Sequence, residues 1–124
     1  MSYSFEINHK LKIIHSRLTG NLLLEEIEEA IRALYSYQEF RINRYNLIID
    51  FRTSIFNFSI SELIQAEKRI QTFANIIYNQ KIAFIIDNHR NMAVTMMFSN
   101  RHLERKTILV EFFTTEESAR SWAK

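Results

Sequence analysis

An α/β fold with a mostly parallel sheet is predicted by three features of this sequence. The apolar runs YNLIID, KIAFIID and TILVEFF have strand length. Segments of helical periodicity separate them. Two further strand-like segments at the start lie close enough to pair as a hairpin. Strands that alternate with helices imply right-handed crossovers and parallel neighbours, and the opening hairpin adds one antiparallel edge. The chain has 124 residues and fits one domain, residues 1–124, with no linker, repeat or low-complexity segment.

The elements follow in order. Tyr3, Phe5 and Ile7 alternate with Ser4, Glu6 and Asn8, the period-two mark of a half-buried strand. Asn8, His9 and Lys10 suit a turn, and LKIIHSRL, residues 11–18, reads as the partner strand. Gly20 breaks it. Leu23, Leu24, Ile27, Ala30, Ile31 and Leu34 then fall at helical spacing over 23–37. Glu25, Glu26, Glu28 and Glu29 lie largely on the other side, with the earliest acids at the positive end of the helix dipole. A polar loop, YQEFRINR, leads into the strand 45–51, whose apolar run suits a central strand covered on both faces. Residues 60–78 keep a helical period through Leu63, Ala66, Ile70, Phe73, Ala74 and Ile77, and Ser59 with Glu62 forms a capping box at their start. Strand 81–87 is followed by a helix over 89–101 with the stripe Met92, Ala93, Met96 and Met97. Strand 107–113 is followed by a second capping box, Thr114 with Glu117, and by Ala119, Trp122 and Ala123 on one face. The predicted order is β-β-α-β-α-β-α-β-α.

Composition excludes several function classes. There is no cysteine, hence no disulfide, thiolate metal site or cysteine nucleophile. The single glycine leaves no glycine-rich phosphate loop and no nucleophile elbow. The four histidines, at 9, 15, 89 and 102, show no metal-ligand spacing. Net charge is +2, too small for a nucleic-acid binder. Its distribution is uneven: residues 21–40 are rich in glutamate, and residues 89–106 carry Arg90, Arg101, Arg105 and Lys106 against Glu104. The opening residues MSYSFEINHK lack the apolar core of a signal peptide, and no apolar run approaches the roughly 20 residues of a membrane span. A cytoplasmic protein with no catalytic residue, metal or cofactor is expected.

The order and spacing of four segments, RLTGNLLLEEIEEAI, YNLIIDFR, KIAFIID and EFFTTEESARSWAK, resemble the SpoIIAA-like branch of the STAS superfamily over residues 3–123. The resemblance implies a mixed, mostly parallel sheet with helices chiefly on one face. It also implies non-enzymatic work, either as a protein-interaction module of bacterial signalling, a homodimer among its forms, or as a SEC14-like binder of a small apolar ligand or lipid. Signalling members carry a phosphorylatable serine or threonine in an Asp-Ser-Ser/Thr-Gly-like turn. This chain has no such turn, and Ser54 or Ser59 is the nearest substitute.

Two sets of residues are candidates for function. Asp50 and Asp87 each close a predicted parallel strand, and the carboxyl edge of an open α/β sheet is where ligands bind. With Arg52, His89 and Arg90 they define a predicted ligand or partner edge. The alternative is that both acids only accept loop N–H groups. The second set is Phe56 and Phe58 in the loop TSIFNFS, with Met92 and Met96. Large apolar side chains in a loop either tuck inward as a lid over a pocket or present an apolar interface. An interaction module predicts an exposed apolar patch and no cavity. A ligand binder predicts a closed apolar pocket lined by Phe and Met.

Overall fold

The computed structural model describes residues 2–75, 77, 80–103 and 108–124. The strands are β1 (Tyr3–Asn8), β2 (Ile13–Leu18), β3 (Gly20–Leu22), β4 (Asn46–Asp50), β5 (Ser54–Phe56), β6 (Gln80–Ile85) and β7 (Ile108–Phe113). The helices are α1 (Leu24–Tyr35), α2 (Gln38–Arg41), α3 (Ile60–Gln65), α4 (Glu67–Ala74), α5 (His89–Phe98), which runs into a π turn (Ser99–Leu103), and α6 (Glu116–Ala123). The main sheet has the order β1-β2-β4-β6-β7, antiparallel only between β1 and β2. The α/β class, the hairpin and the mostly parallel sheet are as predicted. No helix among the described residues is long and apolar enough to cross a membrane.

The interior strands explain the runs of apolar residues. Ile13 to Ser16 of β2 and Ile82 to Ile85 of β6 are buried on both faces, as strands covered on two sides must be. Register defines two rows that matter below. On one face, Phe5, Ser16, Ile49, Phe84 and Phe112 stand side by side across all the main strands. On the other, Glu6, His15, Ile48, Ala83 and Glu111 do. The first face packs against α1 to α5 in the larger core. The second is covered by α6, whose Ala119 and Ala123 are fully buried against Ile13, Ile48, Ala83 and Ile85. One turn apart, the two methyl side chains let the helix sit close on the sheet. Asn46 fixes its end: the amide donates to the Ala123 carbonyl (2.6 Å) and its oxygen accepts from Lys81 N–H (2.8 Å).

Gly20 has φ +88°, which turns the chain out of β2 into β3. There β3 pairs with β5 in a small parallel sheet. Several expected boundaries change. Ser59 and Glu62 form the expected capping box. The segment that follows divides at Ala66 into α3 and α4. Thr115, one residue beyond the predicted Thr114, caps α6 by accepting from Ser118 N–H. Glu28 faces inward rather than to solvent: it is buried and pairs with Arg69 of α4 at 2.9 Å. The predicted helix residues 76 and 78, the side chains of Phe73, Ala74 and His102, and residues 104–107 lie outside the described residues.

The left-handed conformation at Gly20 yields a first prediction. No atom would obstruct a Cβ there, so the backbone conformation alone opposes a side chain. Gly20→Ala is expected to cost about 1–2 kcal/mol, and Gly20→Asn less, as measured by urea denaturation.

Candidate functional site

Asp50 ends β4 with its carboxylate buried on the α6 face. Arg52 donates to it three times, from its backbone N–H (3.0 Å), Nε (3.0 Å) and Nη2 (2.7 Å). Arg17, its cross-strand neighbour, lies 3.5 Å away. Burial alone would raise the Asp50 pKa, but the Arg52 hydrogen bonds and the charges of Arg52 and Arg17 outweigh it and hold the carboxyl below its ordinary value. Arg52 is in turn held above its ordinary range, first by the hydrogen bond to Asp50 and then by the charges of Asp50, Glu116 and Asp87.

His15 completes this cluster between the sheet and α6. Its Nδ1 lies 3.1 Å from Glu116 and its Nε2 4.0 Å from Asp50. Glu116 also meets Arg17 and Arg120. Burial pushes the imidazole below its ordinary pKa, against the pull of Glu116 and Asp50. The predicted edge is thus divided. Asp50 and Arg52 are joined; Asp87 is exposed and acts on Arg52 only through its field; His89 is exposed at the start of α5. No group of three or more acidic or histidine side chains among the described residues is arranged to hold a metal ion. Arg52 thus grips Asp50 in bidentate fashion, and Glu116 links the cluster to α6.

Arg90 turns the other way. Its Nε donates to the Phe56 carbonyl (3.1 Å) and its Nη2 to the Phe58 carbonyl (2.8 Å). Next to it, the fully buried Asn91 accepts from Phe56 N–H (3.2 Å) and donates to the Ser54 carbonyl (3.0 Å). The first turn of α5 therefore staples the loop TSIFNFS down. Phe56 and Phe58 are buried and stack on each other, and Phe51 meets Phe56 edge-on. The loop tucks inward. Ser54 is itself buried, its hydroxyl donating to the Phe51 carbonyl (2.8 Å), and Ser59 is the cap of α3.

Beneath this loop, between the sheet and α1 to α5, lies a cavity of about 140 Å³. Phe5, Ile49 and Phe84 belong to its sheet side, Leu24, Ala30 and Leu34 to α1, and Phe56 and Phe58 to the loop. Ser16 and Thr95 are the polar residues among the described ones that line it. The methionines do not: Met92 packs against the core beside the cavity, and Met96 is largely exposed. Its lining is Phe with Leu, Ile and Val. Sequence reasoning missed Asn91, Ser16 and His15, and no local pattern marks Asn91. The polar pair His-Ser inside the strand IIHSRL was the one available signal for the last two.

No family model and no curated protein matches the chain. Among solved structures it is similar to an uncharacterised protein of the DUF3478 family with a SpoIIAA-like fold from Shewanella loihica PV-4, with a TM-score of 0.67 over 99% of this chain and 94% of the other. Identity is 14%, so the likeness shows the fold, which is SpoIIAA-like.

Three predictions come from this geometry. Arg90→Ala is expected to speed amide exchange at residues 54–58 while the main sheet keeps its protection. Asn91→Ala strands a buried N–H and a carbonyl and is expected to cost about 1–3 kcal/mol in urea denaturation. The third concerns pH. Unfolded, His15 takes up its proton near about pH 6.5. Folded, it does so only at lower pH, so between those values the unfolded chain binds more protons and stability rises with pH. Stability is expected to fall on acidification from about pH 7 to about pH 5, and His15→Gln to flatten part of that fall, read from urea midpoints across the range.

Proposed function

We propose that this chain binds a small apolar molecule in the cavity between its sheet and helices α1 to α5, beneath the loop TSIFNFS. The observation that carries this reading is the void itself. Protein interiors are packed to crystal density, with few voids larger than a water molecule. An apolar space of about 140 Å³, if sealed and left empty, would cost on the order of 3 kcal/mol at the cavity penalty measured in core-truncation series. That is a large share of the roughly 5–15 kcal/mol that holds an ordinary domain folded. A ligand that fills the void restores the lost contacts. The size suits a benzene-like ring or a short branched chain, because an engineered void of about 150 Å³ lined by Leu, Ile and Phe admits benzene. The hydrogen-bonded, aromatic loop supports the same reading, since its Phe side chains supply part of the lining.

A protein-interaction module is the second reading. Ile55, Ile60 and Ile64 favour it, at 60%, 52% and 50% exposed, with Ile60 and Ile64 one turn apart on α3. Scattered exposed apolar residues are ordinary on soluble domains, whereas an apolar cavity of this size beside the core is not, so the cavity carries more weight.

Native mass spectrometry of freshly purified protein, repeated after denaturation, tests the proposal together with methyl-resolved NMR titration of toluene. The expected results are an added mass that departs on denaturation, or methyl shifts confined to cavity residues such as Leu34, Leu47 and Ile82. Ala30→Leu places a larger side chain in the void, and is expected to abolish the shifts and raise the unfolding midpoint. Absence of both adduct and shifts, together with a dimer or a captured protein partner, would transfer the assignment to the interaction module.

A further inference from the structure

We infer that the ligand of this cavity carries one neutral hydrogen-bonding group, an alcohol, phenol, ketone or small amide, and sets it against Ser16. This rests on the cavity being the ligand site proposed above. Ser16 stands in the sheet row Phe5, Ser16, Ile49, Phe84 and Phe112, one hydroxyl in an otherwise apolar line. Phe5, Ile49 and Phe84 on either side of it line the cavity too. Ser16 is 3% exposed, and its Oγ has no hydrogen-bond partner. The other described orphan atoms, on His15, Gln80 and Ser99, belong to residues that do not line the cavity. A buried hydroxyl without a partner is unfavourable, and alanine at this position would carry no such penalty. The hydroxyl is enclosed as the side chain stands, but Ser16 lines the cavity, and a turn about its Cα–Cβ bond presents the group to a partner there. Thr95, on the α5 wall, is the second polar residue in the lining, and it gives a polar ligand atom a further neighbour.

The class of that partner is set by charge. No described residue lining the cavity is ionisable. A carboxylate or ammonium in this space would lose its hydration with no countercharge to replace it, whereas a neutral donor or acceptor needs only the one hydroxyl. Hydrocarbons leave Ser16 unsatisfied, and ions are excluded. What remains is a compact apolar body with a single neutral polar group.

Benzene and phenol test this, since they differ by one hydroxyl. Affinities of both for the wild-type chain and for Ser16→Ala, from NMR titration, form a closed cycle that isolates the contact between the two hydroxyls. The expected result is that phenol's advantage over benzene is about fivefold greater in the wild type than in Ser16→Ala, the worth of one net hydrogen bond. Should Ser16→Ala fail to fold, Ser16→Cys, with a much weaker donor, is expected to lose most of the same advantage. If both probes bind and their ratio is unchanged by either substitution, the inference about Ser16 is overturned while the cavity remains a binding site. If neither probe binds the wild type and no adduct is found, the cavity reading fails and takes this inference with it.

Discussion

Asp50 holds a negative charge where charge is expensive, at the buried end of the central strand. Its carboxylate takes hydrogen bonds from the backbone and side chain of Arg52, two residues on. This closes an Asx-type turn and reverses the chain as soon as the strand ends. The consequence is positional. Asp50 points to the α6 face and Phe51, the next residue, packs into the opposite core. The chain that leaves the turn becomes β5 and the loop with Phe56 and Phe58. Without that reversal the loop would have no fixed line of approach to Arg90 and Asn91, and the cavity would lose part of its lining.

The two faces of the sheet are covered in different ways. Small side chains on α6 bring one helix down onto Ile13, Ile48, Ala83 and Ile85. On the opposite face several helices stand over a row of Phe and Ile, and bulky residues from separate elements meet without filling the space between them. The tight face carries the ionic cluster of His15, Arg17, Asp50, Arg52 and Glu116. The loose face carries the cavity. Charge and void are thus separated by the thickness of the sheet. The same strands serve both, because alternate residues of β2 send His15 to one side and Ser16 to the other.

Much of the fold was legible because apolar runs and capping boxes are local signals. YNLIID and KIAFIID became β4 and β6, and the Ser59 and Glu62 box starts α3. The loop was legible only as a choice, since two phenylalanines there either tuck inward or present an apolar interface, and the structure buries both. Boundaries were harder. Two consecutive threonines before α6 offer two caps, and geometry rather than sequence selects Thr115. Pairings over long separations left no trace: Glu28 meets Arg69 across 41 positions, and Asn91 reaches Ser54 across 37. The predicted edge of Asp50, Arg52, Asp87, His89 and Arg90 grouped residues by their place at strand ends. Side-chain direction then sent Arg90 to the loop and Asp50 to α6. The methionine stripe had helical spacing, but spacing alone could not tell a cavity wall from a helix flank.

The sheet register has a consequence for how copies of this chain meet. Its two edge strands, β1 and β7, carry Glu6 and Glu111 at the two ends of one row. Exposed strand edges invite a second sheet to add on and extend the ladder. An added copy aligned on that row would bring carboxylate against carboxylate, which disfavours cross-strand pairing. Glu111 also accepts from the backbone N–H of Phe112 (3.2 Å), so the outer strand engages one of its own donors. The row that ends in two acids thus disfavours edge-to-edge pairing in that alignment.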